Sequence, residues 1–189
     1  MQEMEEQKKY TVPAMLRNTF GSYGDRPSLV FAGEEIRTYA QLEVEVRQVA
    51  GKLVSFGIGK GDKVVILSGN MPNWGVAYFA ISVLGAIVVP ILPDFSMVEI
   101  ANIVDHSTPK IIFVSESLYS KVERFTTDPT KVILRIETFE QISGRDPEEA
   151  EILENLAIAN VEEDDLLSTL KDIRNLRGGF WSVFSPEAQ

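Results

Sequence analysis

The run Gly57, Ile58, Gly59, Lys60, Gly61, Asp62 has the glycine density that lets backbone amides close on a phosphate. A loop of that kind binds nucleotide when it follows a strand and opens a helix, and a P-loop also needs Ser or Thr where Asp62 stands. These glycines instead follow a helical pattern and precede a strand, so they read as a helix-to-strand turn. His106 is the sole histidine; placed at a helix end beside Asp105 and Pro109, it reads as a contact with the helix dipole. One histidine with no cysteine gives no metal centre. Ser68 and Ser115 each follow a strand pattern, but neither lies in a GxSxG elbow, and a hydrolase triad has no support. Paired carboxylates are abundant only between Arg145 and Lys171, where nothing shelters them from water and no acid-base pair is expected. No residue is therefore assigned a catalytic, cofactor-binding or metal-binding role.

Composition narrows the class further. A chain of 189 residues with 44% hydrophobic, 9% aromatic and 24% charged residues can bury one ordinary core, so a single globular unit is the default. The absence of cysteine excludes a disulfide scaffold, and the opening MQEMEEQKK is a charged arm rather than a signal peptide, which points to the cytoplasm. The formal net charge of −10 is concentrated in Asp146, Glu148, Glu149, Glu151, Glu154, Glu162, Glu163, Asp164 and Asp165. That stretch reads as a solvated face or linker. The rest is near neutral, no basic stripe faces a phosphate backbone, and nucleic acid is excluded as a partner.

The elements that would hold these residues can be read from periodicity. Leu29 to Phe31, the turn-like Ala32-Gly33 and Ile36 to Tyr39 predict a short hairpin. Thr38 with Gln41 three residues on predicts a capping box, and Leu42, Val46, Val49 and Leu53 recur at helical spacing until Gly57. Val64 to Leu67 predicts a strand, Pro72 and Asn73 a helix start, Trp74 to Leu84 an apolar helix, and Ala86 to Ile91 a second buried strand. Ser96 with Glu99 predicts another capping box, opening a helix through Ile100, Ile103 and Val104 that ends before Pro109. Lys110 to Val114 predicts a third strand, Glu116 to Phe125 a short helix, and Lys131 to Leu134 a fourth strand. Strands alternating with helices imply an α/β fold: a parallel sheet with helices on both faces. One rival reading remains, because no charge occurs from Val64 to Pro93 and Trp74 to Leu92 matches the length of about 20 residues that spans a bilayer. Gly85, Pro90 and the β-branched second half favour the soluble core.

Between Arg37 and Val114 the landmarks RTYAQL, GIGKGD with VVILSGNMPNW, YFAISVLGAIVVPILP and EIANIVDHSTPKIIFV follow in that order. This order closely resembles the amino-terminal part of the AMP-forming acyl-CoA synthetases, adenylate-forming relatives of firefly luciferase and of peptide-synthetase adenylation domains. The matching positions are Thr38, Tyr39 and Leu42, then Gly57, Gly61, Asp62, Asn70, Pro72 and Trp74, then Gly85, Ala86 and Pro90. The resemblance implies the amino-terminal part of the large domain of such an enzyme, in which these segments are scaffold. It implies a reaction in which a fatty acid or other carboxylic acid, ATP and CoA give acyl-CoA, AMP and pyrophosphate, with ATP, Mg and CoA as cofactors of the full-length enzyme.

The resemblance fails after Asp165. A phosphate-gripping loop of the type Tyr-Thr-Ser-Gly-Thr-Thr-Gly is expected soon after Asp164, Asp165 and Leu166, but the sequence continues LSTLKDIRNLRGGFWSVFSPEAQ. The organisation expected is an α/β subdomain over 1–145, an acidic linker-like segment over 146–165, and an atypical tail over 166–189. Ile173 to Gly178 can be encoded as ATC CGG AAC CTC CGG GGN, and reading one nucleotide later spells Ser-Gly-Thr-Ser-Gly, the heart of that loop. An out-of-frame tail is therefore one explanation; a trimmed chain explains the shortness but not the tail. The chain alone is expected to be inactive, to bind no cofactor, and to self-associate through the apolar face that the remainder would cover. The alternatives are a non-catalytic interaction module and a single-span membrane protein through Trp74 to Leu92.

Overall fold

The computed structural model describes residues 11–31, 33 and 36–146. The charged arm, Ala32 of the hairpin turn, nearly all of the acidic segment and the tail lie outside the described residues. The elements in order are α1 (Val12–Tyr23), β1 (Pro27–Leu29), β2 (Arg37–Thr38), α2 (Tyr39–Ser55), β3 (Lys63–Leu67), α3 (Pro72–Val83), β4 (Ile87–Ile91), α4 (Met97–Ser107) and β5 (Ile111–Val114). Two 3-10 turns, Glu116–Lys121 and Glu123–Thr127, lead to β6 (Val132–Arg135) and β7 (Gln141–Ser143).

β1 and β2 form the expected antiparallel hairpin. The remaining strands build one sheet in the order β4-β3-β5-β6-β7, parallel throughout except for β7. Alternate side chains of its central strands enter opposite layers. Val64, Ile66, Ile111, Phe113, Val132 and Leu134 pack with the buried faces of α2 and α3. Val65, Leu67, Ile112, Val114 and Ile133 pack with α4 and the 3-10 turns. That two-sided burial explains why β3, β5 and β6 read as unbroken apolar runs rather than alternating ones.

The two capping boxes form as their spacing predicts. The Thr38 hydroxyl accepts from the Gln41 amide at 3.3 Å while the Gln41 side chain accepts from the Thr38 amide at 2.8 Å. Ser96 and Glu99 repeat the arrangement at the start of α4. Each satisfies backbone donors that the first helical turn would otherwise leave open.

Two expectations and one alternative reading require correction. β4 is an edge strand, not one buried on both faces: Ile87 is 46% exposed, and Pro90 sits on the open side, where a missing N–H costs no ladder bond. The short helix expected over Glu116 to Phe125 is instead two 3-10 turns that run on to Thr127 and are interrupted at Val122. Trp74 to Leu92 does not run as one helix. α3 ends at Val83, Gly85 turns with φ +67°, and β4 follows, so no helix among the described residues is long and apolar enough to cross a membrane. Two elements had no clear signal. Only Leu16 of α1 is buried, which leaves little periodicity, and β7 has three half-buried residues.

The core side chain of greatest bulk among the fully buried ones is Phe113, packed edge-on against Phe139 with ring centroids 5.8 Å apart. Phe113→Ala is expected to lower the unfolding free energy by about 3–5 kcal/mol, while Thr38→Ala costs about 1 kcal/mol. Urea denaturation followed by circular dichroism checks both; a smaller loss at Phe113 than at Thr38 would contradict this assignment of the core.

Candidate functional site

In an open parallel sheet, ligands approach the carboxyl ends of the strands where successive crossovers diverge to opposite faces. Here that point lies between β3 and β5, because α3 leaves β3 toward one layer and α4 enters β5 from the other. The loops at this edge begin at Ser68 after β3, Leu92 after β4, Ser115 after β5 and Ile136 after β6. Ser68 and Ser115 are both buried. The Ser68 hydroxyl donates to the Gly69 carbonyl at 2.9 Å, and the Ser115 hydroxyl lies 3.3 Å from that of Ser117. The Ser115 amide donates to the Leu67 carbonyl at 3.1 Å, extending the β3-β5 pairing one residue past the strands. Among the described residues neither hydroxyl meets an acid or a base.

Five charged groups, Arg37, Glu45, Glu116, Arg135 and Glu137, join with Asn73 in one tie across the fold. Arg37 donates from Nη1 to Glu45 Oε2 and from Nη2 to Asn73 Oδ1, both at 2.9 Å. The Asn73 side-chain nitrogen then donates to the Ile136 carbonyl at 2.9 Å and to the Glu137 carbonyl at 2.8 Å. Glu137 Oε1 in turn accepts from the Glu116 amide at 3.1 Å, and Arg135 lies 3.5 Å from the Glu116 carboxylate. β2, α2, the start of α3 and the turns after β5 and β6 are thereby linked. Burial raises the Glu45 carboxyl above its usual range, and the attraction of Arg37 only partly offsets this. Desolvation is the larger of the two effects on this carboxyl.

The opposite, amino edge holds the glycine run. Asp62 Oδ2 accepts from the Gly59 amide at 2.9 Å and from Lys110 Nζ at 3.0 Å, and Lys110 also donates to the Gly57 carbonyl at 3.0 Å. The Gly61 amide donates to the Gly85 carbonyl at 3.0 Å. The glycines therefore make the helix-to-strand turn that their order predicts. The second and third sequence landmarks, distant in the chain, meet here. Asn70, Pro72 and Trp74 lie at the other edge, with Trp74 stacked on Tyr78 at 5.4 Å. His106 occupies the last turn of α4, exposed, as its position implies.

Arg37 and Arg135 already face Glu45 and Glu116, and among the described residues no three His, Cys, Asp or Glu side chains converge. Arg37, Asn73 and Lys110 were not singled out by sequence reasoning. Their roles depend on partners 36 to 64 positions away for Asn73 and on Asp62 for Lys110, separations that no local pattern records.

Residues 16–170 match the family described as AMP-binding enzyme. The chain is 34% identical over 105 residues to the 4-coumarate–CoA ligase CCL1 of Humulus lupulus, covering 55% of this chain and 19% of that protein. It is 32% identical over 112 residues to a crotonobetaine/carnitine–CoA ligase of Salmonella paratyphi B, covering 57% of this chain and 22% of that one. The chain thus spans about a fifth of the length of the curated relatives it matches. In structure it resembles a fatty acyl CoA synthetase of Mycobacterium tuberculosis, with a TM-score of 0.62 and 21% identity over 82% of this chain and 30% of that one. At that identity the likeness shows the fold alone.

Arg37→Met and Asn73→Ala should each lower the unfolding free energy by about 1–2 kcal/mol, and the double variant should cost less than the sum, because both cut one tie. Equilibrium unfolding of the three variants measures this, and strict additivity would refute the shared tie. The raised Glu45 carboxyl means that the folded state binds this proton more tightly than the unfolded chain does. Its contribution to stability is greatest in acid and declines as pH rises from the ordinary carboxylate range through the raised folded value. The stability of the native chain relative to Glu45→Gln should therefore fall across that window; a relative gain would reverse the sign.

Proposed function

The chain belongs to the AMP-binding enzyme family, and from that premise we propose that it is the amino-terminal scaffold portion of an ATP-dependent acyl-CoA synthetase acting on a fatty acid. The observation that carries this reading is the family match over residues 16–170. Relatives named as ligases of CoA with 4-coumarate and with crotonobetaine or carnitine share the joining of a carboxylic acid to a thiol. In the reaction proposed, the acid's carboxylate displaces pyrophosphate from ATP to give an acyl-adenylate. The CoA sulfur then takes the acyl group and releases AMP.

Within that reaction the described residues supply positions rather than chemistry. The Arg37-Asn73 tie holds the carboxyl edge, and the Asp62-Lys110 pair holds the amino edge. ATP, Mg and CoA would be held by the rest of a full-length enzyme, and this chain alone is proposed to be inactive. The acidic stretch from 146 to 165 is proposed as a linker and 166–189 as an atypical tail. A cytoplasmic location suits substrates of this class. A second reading, a non-catalytic interaction module, draws support from the open β4 edge, where Ile87 and Leu92 are exposed.

Two assays test the proposal. The purified chain with Mg-ATP and a series of carboxylic acids should release no pyrophosphate above the blank, and acid-dependent release would overturn the claim of inactivity. A chimaera in which residues 16–146 replace the matching part of the Mycobacterium tuberculosis fatty acyl CoA synthetase should retain fatty-acid-dependent adenylate formation. Loss of that activity in a folded chimaera would sink the scaffold assignment.

A further inference from the structure

Three lysines stand in register at the amino edge of the large sheet. Val64 pairs with Ile111 and Ile111 with Val132, so Lys63, Lys110 and Lys131 occupy the same step along β3, β5 and β6. The Lys110 amide donates to the Lys63 carbonyl at 3.1 Å, and the Val132 amide donates to the Lys110 carbonyl at 2.9 Å. Residues in register share one face of a sheet, and neighbouring strands lie about 4.8 Å apart, so the row is roughly 10 Å long. Lys60, beside Gly85, extends it toward β4. Like charges set side by side across strands repel one another unless anions stand nearby.

The described residues supply only part of that anionic charge. Asp62 accepts from Lys110, and Asp128 accepts from Lys131. Asp105, near the end of α4, is paired with Arg124. Lys60 is exposed and Lys63 half-buried, and among the described residues neither side chain has a hydrogen-bond or ion-pair partner. The chain leaves the sheet at this same edge. β7 runs antiparallel to β6, so it ends beside the start of β6, with Ser143 opposite Ile133. Gly144 then lies so close to β6 that an added Cβ would meet the Lys131 carbonyl at 2.5 Å. Two residues later the acidic stretch begins, with Asp146, Glu148, Glu149 and Glu151 and no basic residue before Lys171. An extended chain advances at most about 3.6 Å per residue, so the steps from Asp146 to Glu151 reach up to about 18 Å, past the far end of the row.

We infer that the chain's own acidic segment, from Asp146 onward, docks across the lysine row at the amino edge, with Glu148, Glu149 and Glu151 supplying the anions that Lys63 and Lys60 lack. The covalent link favours this occupant over a separate one, because the exit beside Lys131 delivers the carboxylates to the row at high local concentration. Docking turns the segment from a loose linker into a strap and limits where the chain that follows can go. The contact is independent of the reaction proposed above and is read without any activity.

The chain has no cysteine, so Ile152→Cys accepts a single nitroxide label, and paramagnetic broadening of amide resonances in the isotope-labelled 189-residue chain tests the docking. At about 0.01 M salt, where charges act over about 30 Å, the amides of Lys60, Gly61 and Lys63 should lose most of their intensity. Those of Ser68 and Ser115, at the carboxyl edge, should keep theirs. At about 1 M salt, where that range falls to about 3 Å, the loss should disappear. Lys60→Glu with Lys63→Glu should abolish it even at low salt, and adding Glu148→Lys, Glu149→Lys and Glu151→Lys should restore it. A dispersed amide spectrum shows that each variant is folded, and the salt series needs no variant of the row. A label that broadens no amide overturns the inference, since lysines serving only the carbonyl ends of α2, α3 and α4 would leave the segment undocked. Broadening centred on the carboxyl edge, or indifferent to salt and charge reversal, overturns it too. Equal broadening of an isotope-labelled chain by a separate spin-labelled chain would place a second copy's segment on the row, which also overturns it.

Discussion

Apart from Lys63 at the start of β3, the two central strands, β3 and β5, present every side chain to one apolar layer or the other, and neither can be buried until helices cover both sides. Backbone groups of such strands must be paired entirely within the sheet, because no water reaches them. That requirement sets the rest of the architecture. α2 and α3 must lie on one face and α4 on the other, and β4 and β6 must flank the pair. α1 has a looser part, packing outside α2 and α3. Its single buried residue is what is left once the inner positions are taken.

Polar interactions then fix what apolar packing leaves free. A sheet buried on both faces resists separation of its layers but has little to prevent its end loops from shifting. The amino edge is fixed by Lys110 reaching Asp62 and the Gly57 carbonyl, which couples the turn before β3 to the start of β5. At the carboxyl edge Asn73 bonds two successive carbonyls after β6 while Arg37 holds Asn73 from the hairpin. The side-chain amide suits this place because it accepts on one side and donates on the other. An aspartate could accept from Arg37 but would face the two carbonyls with lone pairs.

How much of this was legible in the sequence follows from the range of each interaction. Thr38 with Gln41 and Ser96 with Glu99 act over three residues, so their boxes and the helices behind them could be read directly. The apolar runs of β3, β5 and β6 gave the parallel sheet. β4 misled because a strand of Ile, Val and Pro looks the same whether a neighbour covers it or not; only the sheet order shows that it lies at an edge. Pro90 was the available sign, since proline is tolerated where no ladder partner follows. The 3-10 turns after β5 were read as one helix because their composition suits either form. The ties through Arg37, Asn73 and Lys110 were invisible, since each depends on segments that only the completed sheet brings together.

The strand order has a consequence for how the chain comes into being. β3 is the first strand of the large sheet to leave the ribosome, and it ends up between β4 and β5. Each later strand is added to an edge that already exists: β4 on one side, then β5 on the other, then β6 and β7 outward from β5. No strand has to be inserted between two others already paired: β4 joins β3 over α3 alone, β6 joins β5 over one pair of turns, and β5 reaches β3 once α3, β4 and α4 have been made. A polypeptide synthesised at a few residues per second could complete this sheet in the order of its translation, each newly released segment meeting a finished template. Assembly of the sheet therefore proceeds by accretion from a seed, with the oldest strand at its heart.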